Sequence, residues 1–336
     1  MSTPRRRLPA AEHLAVLALV GFAAVVVAVV AVTAFPLADA TVNDSLPYAA
    51  MTGHAPWATI AKPFRWRVLV PLVAGLLPHA DAGQIQAVWG AIDAVALTVA
   101  AWFLHRFLRE RGASATSGLL GALLFFASWV VLRYAGGVLV DAASYAVLAV
   151  AAYAAAARRT VLLAVVVTVG MFVKETTVLA LVLVVLLDHP WAVRARQLAV
   201  GVPGVLGYVA FRLLTPTDQG YRYSVGRVVE AVGSLLTARG VVLAVAQFVL
   251  TFGPLWLLAV VGWRARPVLP RRAAWLVPLV LVVPYLIGSN LARVWFLAFP
   301  VVIAFAVAGL EVLLTRPDGH ESSPASVPSA TESSSR

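Results

Sequence analysis

The run GQIQAVWGAIDAVALTVAAWFLH, residues 83–105, decides the fold class. It holds one carboxylate, Asp93, and stops against the basic stretch from Arg106 to Arg111. A continuous apolar run of about 20 residues matches a helix crossing the roughly 30 Å hydrocarbon layer, whereas a barrel strand would alternate polarity over about ten residues. Backbone amides cannot stay unpaired in hydrocarbon, so a run of this kind reads as helix.

The same pattern repeats outward in both directions. Of the 336 residues, 61% are hydrophobic and 12% charged, and the mean hydropathy is +0.90, too little polar surface to clothe a soluble globule. The expectation is an all-α, polytopic integral membrane protein with about 10 transmembrane or re-entrant helices and interfacial helices on the outer side. The segments read as 13–35, 83–105, 115–133, 138–157, 160–173, 176–187, 197–215, 239–262, 273–290 and 294–314. Arg5, Arg6 and Arg7 before the first run, and Ala38-Asp39-Ala40 after it, resemble a signal peptide, but the run is too long for one and reads as an uncleaved helix. The two arms flanking Lys174-Glu175 are about 13 residues each, or about 20 Å as helix, short of a full crossing.

A net charge of +11 does not point to nucleic acid here, because the arginines are dispersed among short loops, where they orient the chain. Even parity of ten spans predicts that both termini are cytoplasmic. The organisation expected is a cytoplasmic segment 1–12, a membrane domain 13–315 with outer loops 36–82 and 216–238, and a Ser- and Pro-rich disordered cytoplasmic tail 316–336. Cysteine is absent, which excludes thiol chemistry, and the six histidines are dispersed without paired spacing. No P-loop, dinucleotide glycine pattern, HExxH or GxSG box occurs.

Parity then places Asp39, Asp44, Tyr48, Arg65, Arg67, Asp141, Lys174, Glu175, Tyr221, Arg222 and Arg293 on the outer side, from separate parts of the chain. Charge at membrane depth is costly and faces a cavity, a partner or the interface, so the convergence marks a candidate site. Arg65 and Arg67, in Pro63-Phe64-Arg65-Trp66-Arg67, have forks suited to phosphate, or else belong to an aromatic-cationic headgroup belt. Between Pro63 and Pro78 the chain reads as one interfacial helix of about three turns. Asp141 opens an outer-side helix, where a carboxylate also suits the helix dipole.

On Asn43-Asp44-Ser45 with Tyr48, PFRWRVLVP, VLVDAASYAVL, GMFVKETTVLALV and Arg293 followed by Pro300, the chain resembles the polytopic glycosyltransferases of the type C fold. The resemblance implies transfer of a sugar from a polyprenyl-phosphate donor to an acceptor hydroxyl at the outer membrane face, with membrane lipids as partners. The first-loop carboxylates Asp44 and Asp39 are then the catalytic candidates, with Asp44 as general base, and Tyr48, Arg65, Arg67, Asp141, Lys174, Glu175, Tyr221, Arg222 and Arg293 bind substrate. The resemblance allows a divalent metal, though no ligand set stands out in the sequence. A transporter or flippase for an anionic or lipid-linked substrate, and a non-catalytic assembly subunit, are the alternative readings.

Overall fold

The computed structural model describes residues 21–22, 44–56, 59–134, 137–215, 225–265, 268–287 and 291–314. All of the first expected span except residues 21–22, together with Asp39, Tyr221, Arg222, both terminal segments and part of the second outer loop, lies outside the described residues. Among the described residues the protein is all-helical and has no strand.

In chain order, α1 (Ser45–Thr52), a 3₁₀ turn (Phe64–Trp66) and α2 (Leu69–Gly75) precede the long α3 (Ala82–Glu110). Then follow α4 (Ala115–Phe126), α5 (Trp129–Tyr134), α6 (Asp141–Ala156), α7 (Thr160–Val173), a 3₁₀ turn (Glu175–Val178), α8 (Leu179–Leu186) and α9 (Trp191–Leu214). The last part holds α10 (Val225–Leu235), α11 (Ala238–Phe252), α12 (Leu255–Ala265), α13 (Leu276–Ile287), α14 (Leu291–Trp295) and α15 (Phe299–Leu314). A 3₁₀ turn over Phe296–Ala298 joins α14 to α15, so Leu291–Leu314 is one 24-residue rod.

Among the described residues three helices are long and apolar enough to cross a membrane: α3, α9 and the α14–α15 rod. Asp81 starts α3 by accepting from the Gln84 amide at 2.8 Å, while the Gln84 side chain accepts from the Ala80 amide at 2.7 Å. Its 29 residues rise about 43 Å. Helices α4, α6, α7 and α12 are shorter, of 10–17 residues.

Expected segments are broken in three places, 115–133 among them, since α4 ends at Phe126 and α5 starts at Trp129. The run 239–262 is two helices, because Pro254 has no amide to continue the ladder and Gly253 turns the chain at φ +51°. Likewise the helix expected between Pro63 and Pro78 is a 3₁₀ turn and the two-turn α2. Pro71 offers no N–H to the Arg67 carbonyl four residues earlier, so the backbone leaves helical geometry at Arg67, with φ −97° and ψ 62°.

Alanine-rich α6 packs between α3 and α7, and its small side chains let both neighbours approach closely. On the other side of the bundle α12 and α15 touch backbone to backbone. A Cβ on Gly262 would sit 1.9 Å from the Phe305 carbonyl oxygen, and one on Gly309 would sit 2.0 Å from that of Leu258. Rings of Phe125, Tyr145, Phe296 and Phe299 knot α4, α6 and the rod together, with centroids 5.0–6.3 Å apart.

Much of the outer surface is apolar. Val202, Leu206, Val209 and Leu213 recur at helical spacing along α9 and all point outward, Leu213 being 75% exposed. Val161, Val165 and Val169 do the same on α7. Apolar stripes turned away from the core are what lipid contact calls for and what water penalises.

Candidate functional site

Charged side chains from four regions meet at one end of the bundle. Asp141, the first residue of α6, is 1% exposed, and both its oxygens are used. Lys174 Nζ donates to Oδ1 at 2.6 Å, and Arg293 donates to Oδ2 through Nε at 3.0 Å and Nη2 at 2.5 Å. The third nitrogen of that guanidinium, Nη1, donates to Asp44 Oδ2 at 2.6 Å. The Arg293 carbon lies 5.5 Å from the centre of the Tyr134 ring, a cation–π contact.

Beside this chain of pairs Arg67 forms a two-pronged contact with Glu175, Nε to Oε2 at 2.9 Å and Nη2 to Oε1 at 2.5 Å. Arg67 Nη1 donates to the Tyr48 hydroxyl at 3.1 Å. Burial pushes the Tyr48 phenol up to about 12, against the opposing effect of the Arg67 guanidinium, so Tyr48 is a neutral hydroxyl at physiological pH. Its ring packs edge-on to Phe64 at 5.3 Å and lies 5.9 Å from Trp89, which donates its indole N–H to Thr52 at 3.0 Å.

Local sequence explains the placement. Lys174 is extended, φ −162° and ψ 134°, between α7 and the 3₁₀ turn, and the break sends Lys174 and Glu175 to different partners, Asp141 and Arg67. The aromatic knot beneath the site fixes Phe296, and Arg293 sits about one helical turn earlier on the same rod. Asp44 precedes α1 without capping it, which leaves its side chain to reach Arg293.

Seven residues expected on the outer side, Asp44, Tyr48, Arg67, Asp141, Lys174, Glu175 and Arg293, therefore come together in two adjoining groups joined at Lys174-Glu175. Arg65 lies half-buried on the turn next to Arg67. The three cations bonded here are matched by three carboxylates, so Arg67, Lys174 and Arg293 face carboxylates rather than an empty anion site. Asp141, enclosed by two cations, is an anchor and has no lone oxygen with which to take a proton. Asp44 differs: its side chain is 36% exposed, and its Oδ1 takes no hydrogen bond among the described residues.

Two groups near the site had no prior mark. Tyr134 is one. Tyr145, four residues after Asp141 on the same helix face, is the other, and the i, i+4 spacing was its signal. Its hydroxyl is buried and has no partner among the described residues.

A divalent metal does not fit this arrangement. Among the described residues no group of three His, Asp or Glu side chains is placed to hold a metal ion, and the carboxylates of the cluster are already held by guanidinium and ammonium groups. Comparison with protein-family models, curated proteins and solved structures finds no match for this chain.

Proposed function

We propose that this chain is a multi-pass glycosyltransferase of the type C fold, in the cell membrane with both termini cytoplasmic, that transfers a sugar from a polyprenyl-phosphate donor to an acceptor hydroxyl at the outer face. On this reading the ten apolar segments cross or re-enter the bilayer. The outward valine and leucine stripes support it, as does the gathering of charge at one end of the helices.

The observation that carries the reading is Asp44, a carboxylate held at one oxygen by Arg293 and open at the other. In a single displacement Asp44 Oδ1 takes the proton of the acceptor hydroxyl as that oxygen attacks the anomeric carbon. The bond from that carbon to the phosphate oxygen breaks, its electron pair leaves with the lipid phosphate, and the anomeric configuration inverts. Asp141 and Lys174 keep Arg293, and through it Asp44, at a fixed position. The leaving phosphate adds charge to a balanced cluster, and Arg65 is the cation we assign to meet it.

A second reading is favoured by that same balance: a transporter or flippase would use exchangeable ion pairs to pass an anionic lipid headgroup, with no base required. An assembly subunit would need the cluster for stability alone. The test is purified protein in proteoliposomes with labelled polyprenyl-phosphate sugars and a membrane acceptor extract. Label should move to acceptor, and Asp44→Asn should slow this by about 10²–10⁴-fold with donor binding retained. Label that changes leaflet without transfer establishes the flippase, and full transfer by Asp44→Asn removes the proposed base.

A further inference from the structure

A cleft of about 740 Å³ lies at the far end of the bundle from the ion-pair cluster. Helix α6 measures the separation: Asp141 begins it, the cleft residue Tyr153 lies near its other end, and the 12-residue step between them rises about 18 Å. Among the described residues four guanidinium groups line the cleft, from Arg106, Arg158, Arg159 and Arg196, and no carboxylate does.

The cleft is built rather than merely basic. Arg106, on α3, is held between two rings, with its guanidinium carbon 5.8 Å from the centre of Trp102 and 5.6 Å from that of Tyr153. Aromatic faces fix the plane of the fork while leaving its N–H edge for an acceptor. Arg158 is steadied by a long bond from Nε to His189 Nδ1 at 3.4 Å. The nearby acid Asp188 is engaged by Arg272 at 3.3 Å. Residues Thr160, Val161 and Leu162, the first turn of α7, complete the lining.

The apolar side of the cleft indicates which anion fits. Val161 belongs both to the lining and to the outward stripe of α7, where Val165 and Val169 continue it at one-turn intervals. Positive groups at the mouth and an apolar track leading away along the helix describe an amphiphile, with phosphate among the arginines and hydrocarbon along the valines. A free phosphate would use only the first half.

We propose that this cleft is a binding site for the phosphate headgroup of an anionic membrane lipid, separate from the ion-pair cluster. It rests on the membrane reading and not on glycosyl transfer, so Asp44→Asn leaves it intact. A basic pocket between helix ends offers the charge-assisted contacts that lipid phosphates take.

The experiment is native mass spectrometry of the delipidated full chain, titrated with phosphatidylglycerol, phosphatidylcholine or inorganic pyrophosphate. The expected result is retention of phosphatidylglycerol over phosphatidylcholine, with affinity falling about tenfold or more in Arg106→Gln and separately in Arg159→Gln, since each removes a charge-assisted contact. Arg159 is exposed, so that variant decides the matter even if Arg106→Gln fails to fold. Arg271→Gln, an exposed arginine outside the cleft, should bind as the parent does. Equal retention of the two lipids, or parental affinity in Arg159→Gln, overturns the proposal. Arginine-dependent binding of pyrophosphate with no lipid retained overturns it too, because the site would then serve a soluble phosphate.

Discussion

Replacing Asp141 by Asn removes one charge and leaves two cations facing an amide. At an effective dielectric constant of about 20, unit charges roughly 4 Å apart attract by about 4 kcal/mol. Asp141 makes two such pairs, with Lys174 and with Arg293, for a gross gain of about 8 kcal/mol. Its own desolvation offsets several kcal/mol of that, and breaking a buried pair by deleting one partner costs about 3–5 kcal/mol net. Asn makes matters no better, since its carbonyl accepts from one cation while its NH₂ confronts the other. At about 2.1 cal/mol/K of unfolding entropy per residue, a cost of 3–5 kcal/mol in 336 residues lowers the midpoint by about 4–7 °C. Helices that survive in detergent reduce that entropy and enlarge the shift. Thermal unfolding in detergent, followed by the fluorescence of the ten tryptophans, reads it directly. Asp141→Asn with Lys174→Met restores charge balance and should recover more than half of the loss. A single variant within 1 °C of the parent, or a double variant no more stable than the single, would refute the buried-pair reasoning.

Three further outcomes are expected. Gly309→Leu, which thrusts a side chain into the Leu258 backbone, should separate α12 from α15 at a cost beyond the usual 1–3 kcal/mol of overpacking, visible as loss of a monodisperse peak in size-exclusion chromatography. Tyr145→Phe removes a buried hydroxyl that has no partner among the described residues and should leave the thermal midpoint unchanged or raise it by the equivalent of about 1 kcal/mol; a clear fall would mean that the hydroxyl is satisfied. Because the chain has no cysteine, Ala80→Cys at the cluster end and Arg271→Cys at the opposite end report topology, and an impermeant thiol reagent on intact cells should label only the first.

The helices were legible because apolar run length and proline position act locally. Gly253-Pro254 stood in plain view, yet the run on either side was apolar enough to read as one span. Side-chain parity placed Asp44, Lys174 and Arg293 on one side, and that is as far as one-dimensional reasoning reaches. Who pairs with whom depends on how rods pack: nothing near Asp44 announces an arginine 249 residues later. Reading Arg67 as a phosphate ligand leaves out Glu175, carried by another element, which its guanidinium meets at 2.5 Å. Tyr145 is not legible in the sequence as a site residue, because an aromatic in an alanine-rich helix reads as packing until its hydroxyl is located.

The sequence separation of these pairs bears on biosynthesis. Asp141 leaves the ribosome 33 residues before Lys174 and 152 before Arg293. At about 5–20 residues per second, that is a few seconds for the first cation and about 8–30 s for the second. On the membrane reading, α6 and α7 can therefore enter as a hairpin whose cluster-end charges, Asp141 and Lys174, already neutralise one another. Among the described residues Asp44 pairs with Arg293 alone and has no such early partner. It must stay in water or headgroups until the rod bearing Arg293 arrives, so the contact that completes the cluster is also the last to be made.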